Sequence, residues 1–453
     1  MLTSLTYLFF SFIAFKTIKG NLQNKVLWFI FGILLLPPGI NLLGKPLIWF
    51  FLLAFTLSLF INNKGFKKLK HLPLKKHFLF YFVCLMVVGL FDSRLNNFEK
   101  IIRPILYFFE NIWPCLLVYL VLFNAKEYKK IYIYLSYIGL FLGLYGIFCY
   151  LTKTNIYITA MSDEFKLRNL AIEYLSGLDD RVRISSFLFH PFLYGILLVF
   201  LIGYTIFLYQ NNNRIINKNV ILLSLTLLII NLLLTNSRTV IFVLLLQITF
   251  YFFLQVNSKN ILIIASGAVF GLLLIFFIPA LKEKTDLLFD LFQSGGSKVE
   301  GSSVEMRQGQ LLASFKYFFQ NPYTGNGFGY IYEGIGFKTE IADRNSGSEL
   351  FAFESYFFVL LIEQGVAGII SNIVLFFGLI TYSFKNYNSL LLLNHKRFVL
   401  LSAVLIICYL VFILGTGTIN SLPLFFSFMG ISLSLQQKLV SKGVPNHIKA
   451  NLI

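Results

Sequence analysis

Four arginines stand where an arginine is costly. Arg181 and Arg183 lie in Arg181-Val182-Arg183-Ile184-Ser185-Ser186-Phe187-Leu188-Phe189-His190-Pro191, at the head of a long apolar run. Arg238 follows Thr235-Asn236-Ser237 between two apolar runs, and Arg307 lies near the start of a short helical pattern. A guanidinium stays charged and presents a planar fork that matches phosphate oxygens. Placed beside apolar spans, such groups suit an anionic ligand. Each can instead pair with an acid nearby (Asp179, Asp180, Glu305) or snorkel to lipid headgroups. Arg238 has no acid close to it in sequence.

Two carboxylates are equally expensive. Glu354 and Glu363 fall in a near-continuous apolar helix that runs on through Gly365 and Gly368, and ionisable groups at membrane depth are functional candidates by default. Their spacing puts them on opposite helix faces. At most one therefore faces a given site. Glu354, nearer the water, suits a general base as well as it suits a structural role, and Glu363 reads as helix-end solvation or a salt bridge. Glu110 reads as a structural partner of Arg103 or of a neighbouring helix. His71, His77, His395 and His447 sit among lysines and read as solvated, whereas His190 opens a span and is a candidate ligand contact.

These groups need a scaffold, and composition defines it. Of 453 residues, 57% are hydrophobic and 13% charged, against about 45–50% and about 25% in soluble domains. Apolar runs recur from end to end, separated by short charged clusters. This excludes a soluble enzyme, a disordered chain and a nucleic-acid-binding module. It also excludes an outer-membrane barrel, whose strands alternate over only about 10 residues. The pattern predicts an all-α polytopic integral membrane protein, a single transmembrane domain over residues 1–453, with about 13 spans. Their cores begin at Leu2, Val26, Leu47, Phe78, Pro104, Ile131, Phe187, Val220, Thr239, Ile261, Ser355, Phe398 and Ser421. Pro37-Pro38-Gly39 interrupts the second. The first, without a basic leader, reads as a retained span rather than a signal peptide. Cys84, Cys115, Cys149 and Cys408 all lie in apolar runs, so neither a disulfide framework nor a thiolate metal site is expected.

Charge sorts the connecting loops into two sets. One set is rich in lysine and arginine and holds a single acid, Glu127; the other is nearly balanced. Basic excess marks the cytoplasmic side, so the net charge of +18 is a topology signal that needs no nucleic-acid partner. The N-terminus is predicted outside and the C-terminus in the cytoplasm. Two long polar loops, residues 152–186 and 281–350, then face outward. In the second, Ser302-Ser303-Val304-Glu305 reads as a capping box, followed by a helix from Val304 to Gln320 with Leu311, Leu312, Phe315, Phe318 and Phe319 as its apolar stripe. That helix should stop at Asn321-Pro322. The glycines of Asn321-Pro322-Tyr323-Thr324-Gly325-Asn326-Gly327-Phe328-Gly329-Tyr330 permit a tight backbone path, but no strand–loop–helix context supports a nucleotide loop.

Taken in order, the Arg183–Pro191 segment, Thr235-Asn236-Ser237-Arg238-Thr239, Arg307 with its helix, the Asn321–Gly329 turn and the stretch from Glu354 to Gly368 resemble the O-antigen polymerase and O-antigen ligase superfamily of bacterial polysaccharide assembly. The resemblance covers roughly Arg183 to Ile370. It implies a GT-C-type glycosyltransferase bundle in the bacterial inner (plasma) membrane, with a large outer loop late in the chain. The implied donor is a glycan on a polyprenyl (undecaprenyl) diphosphate, used at the extracytoplasmic face to build O-antigen of lipopolysaccharide, capsule or exopolysaccharide. The diphosphate-holding arginines map onto Arg238 and Arg307, and with them Arg183. The other substrate-binding candidates are Arg181, His190, Asn321, Gly325, Gly327 and Tyr330. Ligases of this superfamily carry a histidine near the start of the span after the large loop. Here that place reads Phe353-Glu354-Ser355, which favours a polymerase.

The expected chemistry follows. An acceptor hydroxyl attacks the anomeric carbon of the lipid-linked glycan in a single, inverting displacement. Arg238 and Arg307 stabilise the departing diphosphate, Glu354 accepts the hydroxyl proton, and no metal or other cofactor is called for. The apolar spans form a lateral groove for the lipid tail, and a chain-length regulator is a possible protein partner. The rival readings are a ligase moving the glycan to another lipid or protein, a transporter or flippase of lipid-linked oligosaccharide, and a structural membrane scaffold.

Overall fold

The structure is a computed structural model that describes residues 2–20, 22–35, 41–42, 45–61, 66–124, 129–159, 172, 175–176, 182–211, 216–255, 303–333, 355–416 and 421–440. Among them the only strand pairing is a two-residue ladder, Asn41–Leu42 with Lys45–Pro46; the rest of the regular structure is helical. In chain order the helices are α1 (Leu2–Lys19), α2 (Leu22–Leu35), α3 (Leu47–Ile61), α4 (Lys75–Leu90), α5 (Asn97–Asn111), α6 (Trp113–Asn124), α7 (Lys129–Thr152) and α8 (Ile156–Thr159). There follow α9 (Pro191–Gln210), α10 (Lys218–Leu234), α11 (Arg238–Phe253), α12 (Ser303–Phe318), α13 (Tyr330–Glu333), α14 (Tyr356–Ser389), α15 (Leu393–Gly415) and α16 (Leu422–Val440).

Among the described residues four helices are long and apolar enough to cross a membrane by themselves, namely Ile131–Thr152 of α7, α9, α14 and α15. The pair α5 and α6, bent by 48°, is a fifth if taken as one broken span, and shorter apolar helices lie within α2, α3, α10 and α11. The described residues are thus almost wholly helical, as in a multi-pass membrane protein. The sequence-based count of about 13 is not reached on length and apolarity alone, and the core expected from Ile261 lies outside the described residues. The remaining expected cores each coincide with a helix.

Local chemistry sets the boundaries. Helix α2 stops before Pro37-Pro38-Gly39. Asn96 and Glu99 form a reciprocal capping box at the start of α5, which satisfies two of the amides left over at a helix N-terminus. His190 caps α9 with Pro191 at its first position, and Ser237 caps α11. Helix α9 is buried along nearly its whole length and forms the centre of the bundle. Its Phe200 packs ring to ring with Tyr409, Phe425 and Phe428, and Tyr409 stacks on Phe425. Asn231 ties α10 to its neighbours: its amide donates to Gly143 O at 2.8 Å, and its Oδ1 accepts from the Tyr194 hydroxyl at 3.0 Å.

Contacts group the loops as charge grouped them. On one face Tyr119 donates to His71 O, Tyr251 to Gln210, Arg397 to Asn211 and Tyr382 to Gln437, all at loops of the basic set or helix ends beside them. On the other face the loops at 91–96, 182–190, 235–238 and 321–329 and the segment at Ser355 meet one another, as described below. Two histidines depart from expectation: His395 is buried rather than solvated, and His77 is half-buried with its ring against Gly378, while His447 lies outside the described residues.

Candidate functional site

The rim formed by the second face begins at the segment Val182–His190. Ile184 N donates to Leu234 O at 3.3 Å, and the Asn236 side-chain amide donates to Val182 O at 3.0 Å. Asn155 donates to Ser186 O at 2.7 Å. Ser186, Phe189 and Asn236 all hold positive φ, a conformation that non-glycine residues keep only where their surroundings over-determine it. These ties bring the backbone of Arg183 and that of Arg238 to one corner. Arg238 is the first residue of α11, behind the Ser237 cap, and both arginines are half-buried.

His190 stands at the same corner. Its Nδ1 accepts from Phe192 N at 3.2 Å, so the ring must be neutral at that nitrogen. Burial, with a smaller contribution from the Arg183 charge, pushes its pKa down to about 4. Because the folded-state value lies below the unfolded one of about 6.5, the cap is complete above that pH and is lost as pH falls through 4. In ¹⁵N-histidine spectra of the membrane-embedded protein, the His190 imidazole should remain neutral at pH 5. A titration midpoint above pH 6 would contradict this placement.

Below the corner an aromatic ladder descends. Phe187 stacks on Tyr145 at 4.2 Å and on Phe141 at 5.6 Å between ring centroids. Phe141 also lines an open apolar groove of about 490 Å³ between α2 and α7, shared with Asn24, Trp28, Phe31, Tyr134 and Tyr137.

The rim continues from Arg238. A Cβ built on Gly415 would stand 3.0 Å from Thr239, so the end of α15 touches the start of α11. Ser355, the residue before α14, donates to Leu414 O at 2.9 Å. Tyr356 shares a hydroxyl hydrogen bond of 2.9 Å with Tyr107 of α5, and Tyr107 packs on Phe328. Phe328 O accepts from two guanidinium groups, those of Arg94 and Arg103, each at 3.2 Å. Arg94 also holds Asp92 through two side-chain hydrogen bonds and lies over the Tyr330 ring. The closest approach of Arg94 to Asp92, 2.8 Å, makes the two an ion pair.

Sequence reasoning missed this second cationic corner. The signal was available: Arg94 and Arg103 lie beside apolar runs, as Arg183 and Arg238 do. Of the two partnerships expected of Glu110, the one with a neighbouring helix is seen: it accepts from Trp49 of α3 at 3.3 Å.

The helix expected from Val304 to Gln320 is α12, and it stops before Asn321-Pro322 as expected. Arg307 lies in its second turn; the description of its side chain, and all of Arg181 and Glu354, lie outside the described residues. The glycine turn that follows seats itself on α14. Asn326 N donates to Ile362 O and Gly327 N to Glu363 O, while Val366 N and Ala367 N donate back to Pro322 O and Tyr323 O, all at 2.8–2.9 Å. The Asn321 side chain braces Asn326 at 2.9 Å. Gly365 breaks α14 there, with φ 58° and ψ −151°. The near-continuous helix expected through Gly365 is therefore notched. Glu363, expected in solvent or a salt bridge, is 2% exposed and accepts from Ile331 N at 3.2 Å. Asn321, Gly325 and Gly327 thus take part in docking the turn, and Tyr330 in holding Arg94.

Residues 222–373 match the family model of O-antigen ligase. The match supports the O-antigen ligase and polymerase superfamily to which the sequence motifs point. No curated protein matches the chain. The O-antigen ligase match runs from α10 through α11, α12 and the docked turn into α14, and so contains Arg238, Arg307 and Glu363. Arg183, Arg94, Arg103 and the groove at α2 and α7 lie outside it.

Proposed function

We propose that the chain is a membrane glycosyltransferase that polymerises polyprenyl-diphosphate-linked repeat units at the extracytoplasmic rim. One observation carries the reading: the Asn236–Val182 tie joins the Arg183 and Arg238 segments at one corner above an aromatic ladder that leads to an apolar groove. A diphosphate held at that corner leaves its lipid tail a continuous apolar path down Phe187 and Phe141 into the groove between α2 and α7. Stabilising the departing diphosphate is the main electrostatic demand of the reaction, and each fixed donor is worth about 3–4 kcal/mol of barrier. Arg307 is carried on α12. Glu354, the expected proton acceptor, directly precedes Ser355, which is tied through Leu414 and Gly415 to the start of α11. The excess of basic residues in the loops of the other face supports a cytoplasmic position for that face, with the N-terminus outside and the C-terminus inside.

A second reading keeps the donor site and changes the acceptor: the matched family is described as O-antigen ligase, whose product is a single transfer to a different acceptor. The two separate in one assay. Purified protein given undecaprenyl-diphosphate-linked repeat units, without nucleotide sugar, should yield a ladder of longer glycans. A farnesyl-diphosphate donor, too short to reach the groove from the rim, should extend poorly. One added glycan on a lipid or protein acceptor, with no ladder, would establish the ligase reading instead. Unchanged glycan in both formats would refute a transferase and leave transport.

A further inference from the structure

Helix α12 carries its apolar stripe on the wrong side for a loop helix in water. Its inward face is Gln310, Ala313, Ser314 and Tyr317, the first three almost wholly buried. Its outward face is Leu311, Leu312, Phe315 and Phe319, within an arc of about 100°. Leu312 and Phe319 are 65% and 71% exposed, and Tyr323 just beyond them is 79% exposed. A helix that buries glutamine and serine while presenting leucine and phenylalanine has something other than water opposite it.

The depth of the helix says what. The turn after α12 docks at Gly365, and the 24 residues of α14 that follow extend about 36 Å, enough to cross a hydrocarbon core of about 30 Å. The C-terminal end of α12 therefore sits at the outer membrane boundary. Directly below the dock, Ile370, Ile373 and Phe377 form an exposed apolar stripe on α14, with Val366 at its head. Tyr323, whose carbonyl accepts from Ala367 N at 2.9 Å, and Pro322, whose carbonyl accepts from Val366 N, join the end of α12 to the head of that stripe. Lys316, exposed at the edge of the apolar arc, can reach headgroup phosphates.

We propose that α12 is an interfacial helix whose Leu311, Leu312, Phe315 and Phe319 face is immersed in the outer-leaflet lipid of the bilayer. The occupant is bulk phospholipid, and the surface does not depend on the transferase reading. Immersion of this kind joins buried apolar area to headgroup electrostatics. It fixes at headgroup level the helix that carries Arg307.

The test is collisional accessibility of a nitroxide on the full chain in phospholipid nanodiscs. Labels at Phe319→Cys and, separately, Phe315→Cys are compared with Phe377→Cys in the span and Ser93→Cys in the loop before α5, after subtraction of label taken up by the unsubstituted chain. Both α12 labels should show the high oxygen and low nickel-chelate accessibility of Phe377→Cys, several-fold apart from Ser93→Cys. Nickel accessibility equal to that at Ser93→Cys would overturn the proposal. Protection from both reagents would overturn it too, because the face would then be covered by protein. Agreement between the two labels guards against a local disturbance at either.

Discussion

Replacement of Arg238 by alanine should lower the rate of glycan transfer about 10²–10³-fold and leave the protein folded in the membrane. The expectation rests on where Arg238 stands. It is the first residue of α11, at the end of the helix dipole that repels a cation, a placement that costs about 0.3–1 kcal/mol. The dipole opposes a cation at that position, so removal of the charge should cost the fold far less than it costs the reaction. Activity and stability should part company, as they do where a site holds a group the fold would not choose. Arg238→Lys keeps the charge and loses the bidentate fork, and its rate should fall between the two. The measurement is the initial rate of ladder formation, with thermal melting of the same preparations alongside. Full activity in Arg238→Ala, or a loss of activity matched by a large drop in melting temperature, would remove the residue from the chemistry.

The helical membrane architecture was legible because it follows from bulk quantities: run length, charge spacing and the sidedness of lysine. The contacts at Leu234, Asn236, Phe328 and Leu414 repeat the loop grouping that charge alone proposed. The same was true of α12 and its stop at Asn321-Pro322, where capping and proline sterics act within a few residues. What could not be read was whatever depends on a partner distant in sequence. Arg103 had a plausible acid seven residues on, yet its described bond goes to Phe328 O across more than two hundred residues. Glu363 looked like a helix-end charge because nothing local announces that Ile331 N will meet it. The apolar stripe of α12 was identified, but its direction was not, since periodicity tells which residues share a face and never what that face meets. Gly365 had the right composition for a helix and the wrong neighbours: the break is imposed by the turn that docks on it.

That dock makes the second large effect. Gly365→Ala should separate the glycine turn from α14 and abolish activity without touching any group assigned to the chemistry. At φ 58° and ψ −151° the backbone is in a region open essentially to glycine alone, and a side chain there costs about 1–3 kcal/mol. The added Cβ would also stand 2.5 Å from Gly325 N and 2.6 Å from Pro322 O, both backbone atoms that cannot swing aside. The notch can accept the residue only by giving up the reciprocal bonds between Asn326, Gly327, Val366 and Ala367 and their partners, each worth about 0.5–1.5 kcal/mol net. Those bonds hold the dock in the unsubstituted chain, and the strain, present only in the docked state, works against them: about 1–3 kcal/mol lowers the docked fraction by about 5- to 150-fold relative to the undocked one. The consequence reaches both corners of the rim. Phe328 O would no longer receive Arg94 and Arg103, and α12, which brings Arg307, would lose its fixed end. Hydrogen exchange should show this directly, with protection lost at the amides of Asn326, Gly327, Val366 and Ala367. Gly309→Ala is the matched control, because nothing lies within 4 Å of its Cβ position and alanine favours a helix interior; it should exchange and turn over as the unsubstituted chain does. Protected amides and full activity in Gly365→Ala would mean that the notch is a consequence of local sequence rather than the hinge pin of the outer rim.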